Sequence, residues 1–109
     1  MNTQTDILKL VREAAKKKVL FLPHAVRQMS RLERMISTAE VRQVINRGEL
    51  IEDYPEDVRG HSCLILGHGD NSRPIHVVCS PKEDYLAVIT AYLPNPQQWV
   101  DNFRKRRGS

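Results

Sequence analysis

The sequence predicts an α+β domain: N-terminal helices, a four-stranded antiparallel sheet meander, and a short C-terminal helix. Three observations carry this. Apolar residues recur at helical spacing as far as Gly48. Beyond it they fall into short runs rich in β-branched residues. Turn-forming stretches of hairpin length separate those runs.

The first helix is carried by Ile7, Leu8, Leu10, Val11, Ala14 and Ala15, with a capping-box-like start at Thr3-x-x-Asp6. It should fade at Lys16-Lys17-Lys18, where positive charge suits the negative end of the helix dipole. Val19 to Leu22 reads as a short apolar connector or a brief strand. Pro23 suits the first turn of a second helix, which should bury Ala25, Val26, Met29 and Leu32. A third helix starts at the capping box Ser37-x-x-Glu40, buries Val41, Val44 and Ile45, and stops at Gly48. Strands are then expected at Glu49 to Tyr54, Ser62 to Leu66, Ile75 to Cys79 and Leu86 to Leu93. On the last, alternation puts Ala87, Ile89, Ala91 and Leu93 toward the helices and Leu86, Val88, Thr90 and Tyr92 on the other face. Trp99, Val100 and Phe103 would form the apolar face of the final helix, packed against the sheet or the first helices.

With 109 residues and 40% hydrophobic content, one domain and one modest core are expected. No apolar run is long enough to span a bilayer, and Met1-Asn2-Thr3-Gln4 does not start a secretory leader. Cys63 and Cys79 are too few for a disulfide framework or a four-sulfur zinc site, so a cytoplasmic protein with reduced thiols is expected. Charge is segregated: net +6 over residues 1–48, −6 over residues 49–103 and +4 over Arg104, Lys105, Arg106 and Arg107. A basic half and a basic tail around an acidic middle suit a polyanion at one surface and a basic partner at another, or simply solvated helix faces.

Two groups of residues carry chemistry. His24, Arg27, Gln28 and Arg31 fall within one wedge of the second helix, with Arg34 just beyond. Imidazole moves protons near neutrality, and guanidinium grips phosphate. The plainer alternative is a solvated helix face. On the strands, His76, Thr90 and Tyr92 would line one groove if the register allows, able to bind phosphate, stack on bases or transfer protons. Otherwise they are half-buried sheet residues. His61-x-Cys63 with His76 and Cys79 matches no structural zinc motif, so no metal is expected. Gly67-His68-Gly69 lacks the strand–loop–helix context and the Lys-Ser/Thr of a nucleotide-phosphate loop, so no cofactor is expected either.

Several motifs resemble a bacterial domain-of-unknown-function family whose members often read His-Ala-x-x-Arg-Met and then Arg-Gly-Ile-Ser. They are His24-Ala25-x-Arg27-Gln28-Met29, Arg34-x-Ile36-Ser37, Gly48-Glu49-x-Ile51-Glu52-Asp53-Tyr54-Pro55, Ser62-Cys63-Leu64-Ile65-Leu66-Gly67, Arg73-Pro74-Ile75-His76-Val77-Val78 and Ile89-Thr90-Ala91-Tyr92-x-Pro94-x-Pro96-x-x-Trp99. The resemblance covers about residues 20–104. That family is similar to the RelE-like and MqsR-like toxins, compact α+β ribonucleases of toxin–antitoxin pairs. The resemblance implies metal-free mRNA cleavage by attack of the 2′-hydroxyl on the adjacent phosphate, and an antitoxin partner of zinc-finger type. His24 would be the acid or base, with Arg27 and Arg34 as phosphate clamp and Tyr92, Thr90 and His76 in support. Arg31, Lys16 to Lys18 and Arg104 to Arg107 would add RNA affinity. Gln28 stands where many members carry Arg, and two extra residues separate Met29 from Arg34. A non-catalytic module binding RNA or protein is the rival reading.

Overall fold

A computed structural model describes residues 3–108, with side chains from Ile7 onward. The start expected at Thr3-x-x-Asp6 therefore lies outside the described side chains. The chain runs α1 (Thr3–Lys17), β1 (Val19–Phe21), α2 (Pro23–Met29), α3 (Thr38–Arg47), β2 (Glu49–Tyr54), β3 (Ser62–His68), β4 (Pro74–Pro81), β5 (Leu86–Tyr92), β6 (Trp99–Val100) and β7 (Lys105–Arg106). Among the described residues, no helix is long and apolar enough to cross a membrane.

The α+β class is as expected, but the sheet is not a four-stranded antiparallel meander. It has five strands in the order β1-β5-β4-β3-β2 and is mixed, because β1 pairs parallel to β5. The three-residue run Val19–Phe21 is long enough to cover half of the β5 edge. Its ends are tied by Leu86 N–H to the Lys18 carbonyl (2.8 Å) and Leu22 N–H to the Val88 carbonyl (3.1 Å). From there α2 takes over and packs against β5.

The expected C-terminal helix is also replaced. Trp99–Val100 and Lys105–Arg106 form a two-stranded antiparallel ribbon. The 99, 100, 103 apolar spacing fits a helix, but Asp101-Asn102 is a stronger turn signal, since both residue types tolerate the left-handed region. Asp101, Asn102 and Phe103 all adopt positive φ, at 54°, 54° and 70°.

The core lies between the helices and one sheet face, and joins Ile7, Val11, Ala14, Ala25, Met29, Val41, Val44 and Ile45 to Ile65, Ile75, Val77, Leu86, Val88 and Ala91. Leu86 and Val88 thus face the helices, against the simple alternation. The register steps from Cys79↔Val88 to Val78↔Thr90, so Ile89 is an extra residue in β5. This bulge resets the alternation, leaving Ala91 on the helix side and Thr90 and Tyr92 on the other. The second helix is likewise shorter than its pattern. It ends at Met29, leaving Val26 48% and Leu32 87% exposed. The core place assigned to Leu32 goes to Ile36, whose N–H bonds the Met29 carbonyl.

The third helix begins at the expected capping box: Ser37 Oγ accepts from Glu40 N–H (3.0 Å) and Glu40 Oε1 accepts from Ser37 N–H (3.0 Å). Glu40 is buried and does more than cap. Its carboxylate also accepts from Arg73 Nη2 (2.8 Å), Arg73 Nε (3.0 Å) and Asp70 N–H (2.8 Å). Arg73 in turn donates to the carbonyls of Arg34 (2.6 Å) and Met35 (3.0 Å). One ion pair therefore fixes the α2–α3 loop, the start of α3 and the turn before β4. A Cβ on Gly69 would stand 2.2 Å from Glu40 Oε2, which explains glycine there.

The Arg73 hydrogen bonds hold the Glu40 carboxyl at about 2, down from 4.5. An acid so depressed adds stability above its ordinary range and loses it as pH falls from about 4.5 toward 2. Urea unfolding should show this acid loss in the parent and a flatter profile in Glu40→Gln. Arg73→Ala strands the buried carboxylate and should cost about 3–5 kcal/mol at neutral pH. A cost under about 1 kcal/mol would show that the pair does not organise the loop.

Candidate functional site

The described residues hold two clusters of chemical groups. The first is on α2. The helix buries Ala25 and Met29, and His24 and Arg27 are exposed. Positions four apart on a helix are neighbours, so His24 and Gln28 stand side by side. Arg34 Nη1 donates to Gln28 Oε1 at 2.6 Å, which brings a guanidinium from the following loop to the helix beside His24. Arg34 can reach back because Arg73 holds its carbonyl. Arg31 is paired with Glu33 (2.9 Å), which offsets its charge. Among the described residues, His24 and Arg27 have no acidic partner.

The second cluster lies on the sheet face away from the helices. His76 pairs with Tyr92 and Val78 with Thr90, so His76, Thr90 and Tyr92 share that face. They do not form an open groove, because the ribbon covers His76 completely. Its Nε2–H donates to the Phe103 carbonyl (2.9 Å), which leaves Nδ1 to accept from the Tyr92 hydroxyl (3.2 Å). Trp99, itself buried, packs edge-on to the imidazole with ring centres 4.5 Å apart. Burial lowers the His76 pKa from 6.5 to about 4, so the ring is neutral, and burial raises that of Tyr92. A neutral, enclosed His76 joins Tyr92 to the ribbon. Thr90 and Tyr92 remain half-buried.

The basic tail is folded. Arg106 donates from Nε and Nη2 to Glu52 (2.9 and 3.0 Å) and lies over the Trp99 ring, 4.8 Å from its centre. Tyr54 also donates to Glu52. Arg104 pairs with Glu49 at 2.8 Å. Arg107 Nη2 reaches the Pro96 carbonyl (3.2 Å), and Lys105 is exposed. Two acids of the edge strand, Glu49 and Glu52, thus meet the chain's own basic end.

Among the described residues, no hydrogen bond or ring contact joins His24 to Tyr92, Thr90 or His76. Lys16, Lys17 and Lys18 are exposed at the β1 start, beside Leu86. Leu86 and Tyr92 are opposite ends of β5, roughly 20 Å apart at 3.3 Å per residue. His61 bonds Asp53 (2.5 Å), and Cys63 and Cys79 are free, buried and directly opposite each other.

Sequence reasoning missed Arg73, the Gln28–Arg34 bond and the Arg106–Glu52–Tyr54 group. Glu40 at the third position of a capping box was visible, but a partner 33 residues away leaves no local signal. The opposite charges of residues 49–53 and the tail were the available clue to the ribbon's position.

His76 should stay neutral, with its proton on Nε2, down to about pH 5 in ¹⁵N-edited NMR. Because its folded pKa is depressed, it adds stability above 6.5 that is lost as pH falls toward 4. Trp99→Ala should destabilise the domain by about 3–5 kcal/mol and release the ribbon, seen as raised amide exchange at Phe103 to Arg106. An unchanged exchange pattern would show that the ribbon is held by its ion pairs alone.

The family model described as a domain of unknown function (DUF4258) matches residues 21–93. The match runs from the end of β1 to just past β5, taking in α2, Gln28, Arg34, Glu40, Arg73, His76 and Tyr92 and leaving out the ribbon. No curated protein and no solved structure matches the chain. Matched over most of its length, the chain belongs to the DUF4258 family.

Proposed function

We propose that this chain is a metal-independent endoribonuclease of the bacterial toxin type, similar in chemistry to RelE-like toxins, acting on mRNA in the cytoplasm and restrained by an antitoxin partner. The observation that carries this reading is the Arg34–Gln28 hydrogen bond of 2.6 Å. By the family resemblance Gln28 would stand where many members carry Arg, and the bond brings a guanidinium onto Gln28, one helical turn from His24. An imidazole close to guanidiniums combines a group that can move a proton with groups that can stabilise charge on a phosphate.

In the proposed step, the RNA 2′-oxygen attacks the adjacent phosphorus and its proton passes to His24. Arg34 and Arg27 stabilise the charge on the pentacoordinate phosphate. The P–O5′ bond breaks, the 5′-oxygen takes a proton from solvent water, the His24 imidazolium returns its proton to solvent, and a 2′,3′-cyclic phosphate remains. Tyr92 and Thr90, on the other cluster, would contact the RNA further along its path, with His76 holding Tyr92. Lys105 and Arg107, exposed on the tail, would supply RNA affinity, while Arg106 is committed to Glu52.

The rival, a non-catalytic binding module, is favoured by the exposure of Leu32 (87%) and Met35 (62%) in the loop after α2. Single-turnover cleavage of single-stranded RNA at saturating protein, with chelator present, separates the two. The parent should yield cyclic-phosphate ends. His24→Ala should slow the step by about 10²–10⁴-fold. Gln28→Ala should also slow it, by up to about 10²-fold, through misplaced Arg34. Joint replacement of Lys105 and Arg107 by Ala should weaken binding and flatten its salt dependence while sparing the rate for bound RNA. Binding without cleavage by the parent would give the rival reading the better claim.

A further inference from the structure

We infer that the cleft between the β3–β4 turn and the tip of the ribbon is a binding site for one nucleotide of single-stranded RNA. The inference rests on the RNA-directed reading above and adds the place where a base is held.

The cleft has a volume of about 310 Å³ and is lined by His68, Ser72, Pro74, Asn102, Phe103 and Arg104. It continues the sheet face that carries His76. His68 pairs with Pro74 and Leu66 with His76, so its floor is one pleat repeat, roughly 7 Å, from His76. Phe103 joins the two, lining the cleft while its carbonyl accepts from His76 Nε2 at 2.9 Å.

The chemistry of the lining selects the ligand class. Phe103, Pro74 and the His68 ring offer flat surfaces for a planar base. The Ser72 hydroxyl and the Asn102 amide can both donate and accept, as a base edge requires. Arg104 spends Nε and Nη2 on Glu49 (2.9 and 2.8 Å), while its Nη1 has only a 3.4 Å contact with the Asp101 carbonyl and can meet a phosphate. No carboxylate is among the lining residues.

Left-handed backbone clusters at the same place. Six described non-glycine residues have positive φ, and five of them, Asn71, Ser72, Asp101, Asn102 and Phe103, flank this cleft. A bulky aromatic at φ 70° is unusual, and such strain gathers at ligand clamps because the surroundings must hold it. The two turns form the opposing walls of the cleft.

The test is an NMR titration of the full chain with the four nucleoside 5′-monophosphates. At least one should shift His68, Asn102 and Phe103 resonances at millimolar concentration. Its affinity should drop about tenfold in His68→Ala, an exposed position, and in Phe103→Leu, which keeps bulk and removes the stacking face. The result that overturns the site is no shift at these residues with any of the four, or equal affinity in both variants. The cleavage assay is read separately. A parent that cuts RNA while the cleft stays silent keeps the nuclease reading and ends this one. A nucleotide bound in the cleft without cleavage does the reverse.

Discussion

The Glu40–Arg73 ion pair is the constraint on which the rest of the structure depends. Glu40 is almost wholly buried, and a buried carboxylate survives only if every lone pair is engaged. Five donors meet it: the Ser37 N–H and hydroxyl, Asp70 N–H and two nitrogens of Arg73. Each belongs to a segment that must be placed, and the remaining Arg73 bonds go to the Arg34 and Met35 carbonyls. The segment with the most exposed side chains, the loop after α2, is thereby anchored to the sheet. From that anchored loop the Arg34 side chain lies back on Gln28. The chemistry proposed on α2 therefore depends on a charge pair that never touches the substrate.

A second complementarity operates on the far face of the sheet. Two of the segregated charges on each side meet within the molecule, since Glu49 and Glu52 on the edge strand take Arg104 and Arg106 of the ribbon. This brings Trp99 over His76 and excludes water from the imidazole. The cost of desolvating a histidine is met by holding it neutral between the Phe103 carbonyl and the Tyr92 hydroxyl. The ribbon thus turns an open, half-polar sheet face into a second packed layer with a cleft at one end.

The parts legible in the sequence are those set by local rules. The Ser37/Glu40 capping box, the three helices and the spans of β2 to β5 follow from periodicity and turn chemistry. The failures have tertiary causes. A three-residue parallel strand is too short for any pattern to separate it from a connector. The bulge at Ile89 reverses which face Leu86 and Val88 occupy, and a run of alternating apolar residues carries no mark of an extra one. The α2 stripe was readable because helical spacing places His24 and Gln28 together. The contribution of Arg34 was not, since it needs a loop path fixed by a residue 39 positions away. Alternation grouped His76 with Thr90 and Tyr92 only if the register allowed; the register does pair His76 with Tyr92, but its burial depends on a ribbon that the apolar spacing at Trp99, Val100 and Phe103 had suggested was helical.

The central claim is that Arg73 places Arg34 beside His24 on a surface that meets RNA. NMR detection of the His24 imidazole and the Arg34 guanidinium during titration with a short 2′-O-methyl RNA, which cannot be cut by 2′-hydroxyl attack, tests it most directly. Both signals should shift together in the parent. In an Arg73→Lys protein that remains folded, the Arg34 response should be lost while that of His24 weakens. Shifts confined to other surfaces, or an Arg34 response identical in the two proteins, would contradict the account.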